Sequence, residues 1–96
     1  MRTMIRITIP VETGNQAVRD GTMQETIAEA MERLKPEAAY FLAEQGMRTA
    51  MMFFDLKDPS DIPAIAEPFF ERFHAAVEFV PVMNSDDLKK GLEKFR

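Results

Sequence analysis

The stretch EAAYFLAEQGMRTAMMFFDLKD, residues 37–58, decides how the chain folds. Two extended apolar runs, Ala38 to Glu44 and Met47 to Leu56, flank Gln45-Gly46, a two-residue turn in which glycine takes positive φ, so the stretch reads as a β-hairpin. Upstream, Ala17, Val18, Met23, Ile27, Ala30, Met31 and Leu34 mark one helical stripe from about Asn15 onward. Gly21 interrupts that helix, Thr22 to Glu25 offers a capping box behind it, and Lys35-Pro36 ends it because the residue before proline leaves the helical region. Further upstream, Ile5, Ile7 and Ile9 alternate with Met4, Arg6 and Thr8 in a β-branched segment that Pro10 stops, which predicts a first strand.

Downstream of the hairpin, Asp58-Pro59-Ser60 opens a second helix, with Asp58 or Ser60 as N-cap. Ile62, Ile65, Ala66, Phe69, Phe70 and Phe73 give it an apolar face, and Pro68 is expected to kink or divide it. AVEFVPVM, residues 76–83, reads as a fourth strand, at a sheet edge or bulged because Pro81 cannot donate to a ladder. NSDDLKKGLEKFR closes the chain as a short helix, with Ser85 as N-cap, Asp86 and Asp87 in its first turn and Lys94 and Arg96 near its end, charges that match the macrodipole. The order β-α-β-β-α-β-α predicts an α+β protein: a ferredoxin-like βαββαβ domain over residues 1–96, with a four-stranded antiparallel sheet backed by two helices and a short C-terminal helix.

Ninety-six residues lie near the lower end of what one hydrophobic core sustains. The absence of Cys excludes disulfides, thiolate metal sites and cysteine nucleophiles, and a single His leaves a transition-metal site short of ligands, so no metal or cofactor is expected. Twelve Lys and Arg against sixteen Asp and Glu give a charge of −4, the wrong sign for neutralising phosphates, so nucleic acid is not an expected partner. The N-terminus alternates instead of presenting a basic region before an apolar core, and no apolar run has the length of a membrane span. The expectation is a cytoplasmic protein without a membrane partner.

Helices on one side of such a sheet leave the other side open. Tyr40, Phe41 and Leu42, and Met51, Met52, Phe53 and Phe54, are consecutive apolar residues, so large side chains emerge on the open side whichever parity faces the helices. A patch of that kind marks an interface or a binding groove, and a two-fold homodimer with its sheets face to face would cover it. With this strand pattern, the entry DLKDPSDIPAIAEPFF and the ending VEFVPVMNSDDLKKGL, the chain resembles the dimeric α/β-barrel superfamily, in particular its small bacterial domains of uncharacterised function. The superfamily includes muconolactone isomerases, cofactor-free monooxygenases and haem-binding members, so the resemblance implies a shape and a pocket without selecting a reaction.

Few residues here carry chemistry. With the isoleucines toward the helices, Arg6, Thr8 and Glu78 fall on the other side, and Arg6 and Glu78 are expected to pair across neighbouring strands. The pair reads first as an ion pair that fixes the interface, second as a clamp for an anionic or polar ligand group. Tyr40, the one tyrosine, reads as core or interface, or as a donor to a substrate oxygen. His74 stands at the end of the second helix, where it caps carbonyls and favours the macrodipole; as a general base it would need an orienting acceptor that the sequence does not supply. Met51 and Phe53 join Arg6, Tyr40 and Glu78 as candidate ligand-binding residues, and the eight methionines provide deformable apolar surface. The leading functional expectation is a homodimer that binds a small apolar or aromatic molecule between sheet and helices. The alternatives are a cofactor-free isomerase or monooxygenase using Tyr40, His74, Arg6 and Glu78 in some combination, and a structural or interaction module.

Overall fold

A computed structural model describes residues 1–96. The elements are β1 (Arg2–Ile9), α1 (Val11–Asp20), α2 (Thr22–Leu34), β2 (Ala38–Glu44), β3 (Met47–Asp55), α3 (Ile62–Phe73, entered through a 3₁₀ turn at Pro59–Asp61), β4 (Ala76–Pro81) and α4 (Ser85–Phe95). The four strands form one open antiparallel sheet in the order β2-β3-β1-β4, an α+β arrangement compatible with a ferredoxin-like fold. No helix is long and apolar enough to cross a membrane.

Side-chain alternation sorts each strand between the two faces of the sheet. Ile5, Ile7 and Ile9 of β1 and Ala50, Met52 and Phe54 of β3 face the helices and are buried, together with Ala17, Ala30, Ile65, Phe69 and Phe73 from the helices. Consecutive apolar residues had left the parity of β3 open; the register Ile5↔Met52 and Arg6↔Met51 settles it. Met52 enters the core, and Met51 and Phe53 belong to the open face.

Local chemistry explains where the boundaries depart from expectation. The first helix begins at Val11 instead of near Asn15, because Pro10 supplies the fixed φ and the acceptor carbonyl for Gly14 N–H at 2.9 Å. At Gly21 the helix stops and restarts: this residue has φ of 84°, a left-handed conformation suited to glycine, and serves as C-cap of α1 and N-cap of α2. The expected Thr22–Glu25 capping box is absent; the Asp20 carboxylate accepts from Thr22 N–H instead, and hydrogen bonding from the Thr22 side chain and then from its backbone N–H holds the Asp20 pKa below the ordinary value. The last helix is capped by Asn84, not Ser85, in a reciprocal capping box with Asp87. Asp58 is the N-cap at the entry to α3, accepting from Ser60 N–H, and Gln45 and Gly46 both take positive φ in the hairpin turn.

Pro68 does not divide α3, which runs unbroken from Ile62 to Phe73. A proline at 68 has no N–H for the carbonyl of Ala64, and the Arg33 guanidinium of α2 donates to that oxygen at 2.9 Å. The group freed by proline thus becomes a tie between helices. A second tie runs from Arg72 to Thr26 Oγ1 and Glu29, and a third from Thr13 Oγ1 to the carbonyl of Phe73 at the end of α3. β4 does lie at a sheet edge, as Pro81 requires.

The two ends of the chain differ. The N-terminal ammonium bonds the Asp55 carboxylate, and β1 is central in the sheet. α4 has no buried residue, and the Cα radius of gyration is 15.1 Å, against roughly 12.5 Å for a compact chain of this length.

Candidate functional site

The open face of the sheet carries every ligand-binding candidate from the sequence. Register places Glu78 of β4 opposite Arg6 of β1, Arg6 opposite Met51 of β3, and Met51 opposite Tyr40 of β2, so four of the five form one row across all four strands. Phe53 lies in the adjoining row between Met4 and Ala38. Tyr40 and Phe53 make an edge-to-face pair, with ring centroids 6.5 Å apart and planes at 74°. With Leu42 and Val80, these side chains make a broad apolar surface from which Tyr40 and Leu42 emerge 63% and 40% exposed.

Arg6 stands in the middle of this surface. Its side chain is 32% exposed, and its Nε is the one buried side-chain nitrogen or oxygen in the protein without a hydrogen-bond partner. The expected pair with Glu78 is present at Nη1 to Oε1 3.9 Å, within Coulombic reach but beyond hydrogen-bond length. Arginine donates five N–H groups in a planar fork suited to carboxylates. Here the arginine stands in a row with Met51 and Tyr40, and its hydrogen bonding is incomplete.

His74 is not on this face. It caps α3 in the left-handed conformation, φ 54° and ψ 34°, and its backbone N–H reaches back to the carbonyl of Phe70 at 3.0 Å. The capping expected of it is therefore done by the backbone, while the exposed imidazole makes no hydrogen bond. His74 and Tyr40 do not converge: one closes a helix on the covered side, the other rises from the open side.

The larger cavities lie elsewhere, one of about 550 Å³ against Met1, Arg2, Pro81 and Met83. Beneath the sheet edge, Ile9, Val18, Met23, Ile27, Phe41 and Ala50 line an apolar groove of about 500 Å³ between α1, α2 and the β2–β3 edge. A polar cleft of about 440 Å³ at the other end brings together Arg33, Lys35, Lys57 and Asp61. None of these holds Arg6, Tyr40, Met51, Phe53, Glu78 or His74. The residues named from sequence thus share a surface without enclosing a cavity within one chain. Sequence reading also passed over the stripe Leu88, Leu92 and Phe95 on α4, although the i, i+4, i+7 spacing was its signal.

At the mouth of the polar cleft, the N-terminal ammonium and Lys57 hold the Asp55 carboxyl down to a pKa of about 2, the ammonium hydrogen bond being the larger cause. Glu37, and after it Asp87, raise the pKa of Arg2, which bridges the entry to β2 and the first turn of α4. These exposed pairs order the sheet end and leave Arg6 as the incompletely bonded cation of the open face. Neither a protein-family model nor a curated protein sequence matches the chain.

Proposed function

We propose that the protein acts as a homodimer in which the open sheet faces of two copies meet, as in a dimeric α/β barrel on a ferredoxin-like protomer, and that the enclosed space binds a small apolar or aromatic molecule. The observation that carries this reading is Arg6: a guanidinium with a buried, unpartnered Nε, set in an apolar surface that one chain leaves uncovered. Leaving a buried donor unmet is unfavourable, and a ligand oxygen or a group from the second copy would satisfy it. Tyr40 and Phe53 would provide aromatic walls, Met51 a deformable floor, and Glu78 would balance the guanidinium when the site is empty.

On this reading the ligand lies on the side of the sheet away from the helices instead of between sheet and helices: Ile5, Ile7, Met52, Phe69 and Phe73 are buried there, and the apolar groove that remains at the β2–β3 edge holds none of the candidate residues. The same row, with a tyrosine hydroxyl and a guanidinium separated by Met51, would suit a cofactor-free isomerase that polarises a substrate oxygen. In that case Tyr40 and Arg6 would act, and His74 would not.

The test is titration with the aromatic sulfonate 8-anilinonaphthalene-1-sulfonate, which is both apolar and anionic. Saturable binding that weakens about tenfold in Arg6→Met, with the dimer intact, is the expected result. Binding unchanged by both Arg6→Met and Met51→Asp would overturn the site.

A further inference from the structure

α4 is a well-formed helix, held to the sheet end by the Arg2–Asp87 pair, whose apolar stripe has nothing of its own chain to lie on. Its capping box is complete and its first-turn acids and last-turn Lys94 complement the macrodipole, yet Leu88, Leu92 and Phe95 are 47%, 59% and 90% exposed on one stripe. Gly91 lies beside that stripe with no atom within 4 Å of where a Cβ would stand. Glycine inside a helix is unfavourable unless something gains from it, and here it leaves the stripe open to close approach.

A second surface in the molecule also lacks a cover. β2 is an edge strand, and Tyr40, Phe41 and Leu42 are all exposed along it, Phe41 at the rim of the apolar groove. A bare apolar edge of this kind invites unwanted pairing, and proteins commonly cover such an edge with a helix. The opposite edge is already blunted by the short β4 and its Pro81.

Charge and area point to the same occupant. From Ser85 to the end, the arm carries four basic residues and three acidic; residues 1–84 carry eight basic and thirteen acidic. From Glu37 to Gly46, across all of β2, the charged residues are Glu37, which is bonded to Arg2, and Glu44. A stable dimer buries about 800 Å² of accessible surface on each partner, and an arm laid along the β2 edge adds to what the sheet face contributes.

We propose that α4 is an exchanged arm: in the dimer it lays Leu88, Leu92 and Phe95 along the β2 edge of the second copy, over Phe41 and Leu42, while the second copy's arm does the same in return. The two-fold pairing uses both bare surfaces twice and closes the ends of the ligand space. This rests on the dimeric reading above.

The test has two parts. Sedimentation equilibrium of Leu88→Asp/Leu92→Asp against wild type is expected to show a dimer dissociation constant raised about 100-fold, with the thermal unfolding of the β-sheet body retained. The chain has no cysteine, so Phe41→Cys and Leu92→Cys chains can be mixed and treated with a short bis-maleimide. Cross-linked pairs containing one of each are expected. A wild-type dimer that is unaffected by the double substitution and yields no mixed cross-link overturns the exchanged arm and leaves the dimer standing. A cross-link formed within one Phe41→Cys/Leu92→Cys chain also overturns it. A wild-type monomer at every concentration removes both the dimer and the arm.

Discussion

The two faces of the sheet are built from the same kinds of residue and end in different states. On the helix side, Ile5, Ile7, Met52, Phe54, Phe69 and Phe73 are buried to within a few per cent. On the other, Met51 and Phe53 are half-buried, Tyr40 and Leu42 stand out, and Arg6 carries an unmet donor. Apolar area removed from water stabilises folding by about 25 cal/mol per Å², so the covered face holds the fold together. The open face is apolar surface that the single chain leaves uncovered. The contrast separates the residues that make the core from those that the fold leaves at its surface.

Substitutions on the two faces should therefore fail in different ways. The largest effect is expected from Phe73→Ala, whose ring is fully buried beside Phe69; it should lower unfolding free energy by about 3–5 kcal/mol, read by urea denaturation. A stability change below about 1 kcal/mol would mean that this face is not the core. Next, Phe53→Asp on the open face should leave the protomer's secondary structure intact and raise the dimer dissociation constant by about 100-fold, measured by sedimentation. Unfolding of the protomer by that change would erase the distinction between faces.

A smaller gain is expected from His74→Gly. The residue holds φ 54°, where a Cβ is strained, so glycine should stabilise the protein by about 1 kcal/mol in thermal unfolding, without altering dimerisation or dye binding. A loss of binding would bring His74 into the site after all. Least is expected from Asp55→Asn. The folded pKa of Asp55, about 2, lies below the ordinary 3.8, so its contribution is fully present above pH 3.8 and is lost as pH falls from there toward about 2. The substitution should flatten the acid limb of the melting temperature over that window and nothing above it. An unchanged acid limb would show that the pairing with the N-terminal ammonium and Lys57 does not contribute.

Much of this was legible in the chain because period-two alternation and helix-stop signals are local. Ile5, Ile7 and Ile9 against Arg6 and Thr8 gave the two faces of β1, the Gln45-Gly46 turn gave the hairpin, and Pro81 gave the edge. The parity of β3 was not legible, because Met51, Met52, Phe53 and Phe54 offer no contrast and only pairing with β1 decides between them. The unbroken α3 was missed for a related reason: the partner that satisfies the carbonyl freed by Pro68 is Arg33, thirty-one residues away from Ala64. Arg6 and Glu78 are placed together by strand order, but the unmet Nε is a matter of tertiary burial that strand order does not carry. The stripe Leu88, Leu92 and Phe95 has helical spacing, but local spacing does not tell whether a helix packs on its own chain, and α4 has no buried residue.

The central claim is that the open face is made to be covered by a second copy. Native mass spectrometry of the purified protein over a range of concentrations tests it most directly. The account predicts a species of twice the 11.0 kDa chain mass, with any bound small molecule released on denaturation. A stable species of 11.0 kDa at every concentration would contradict it.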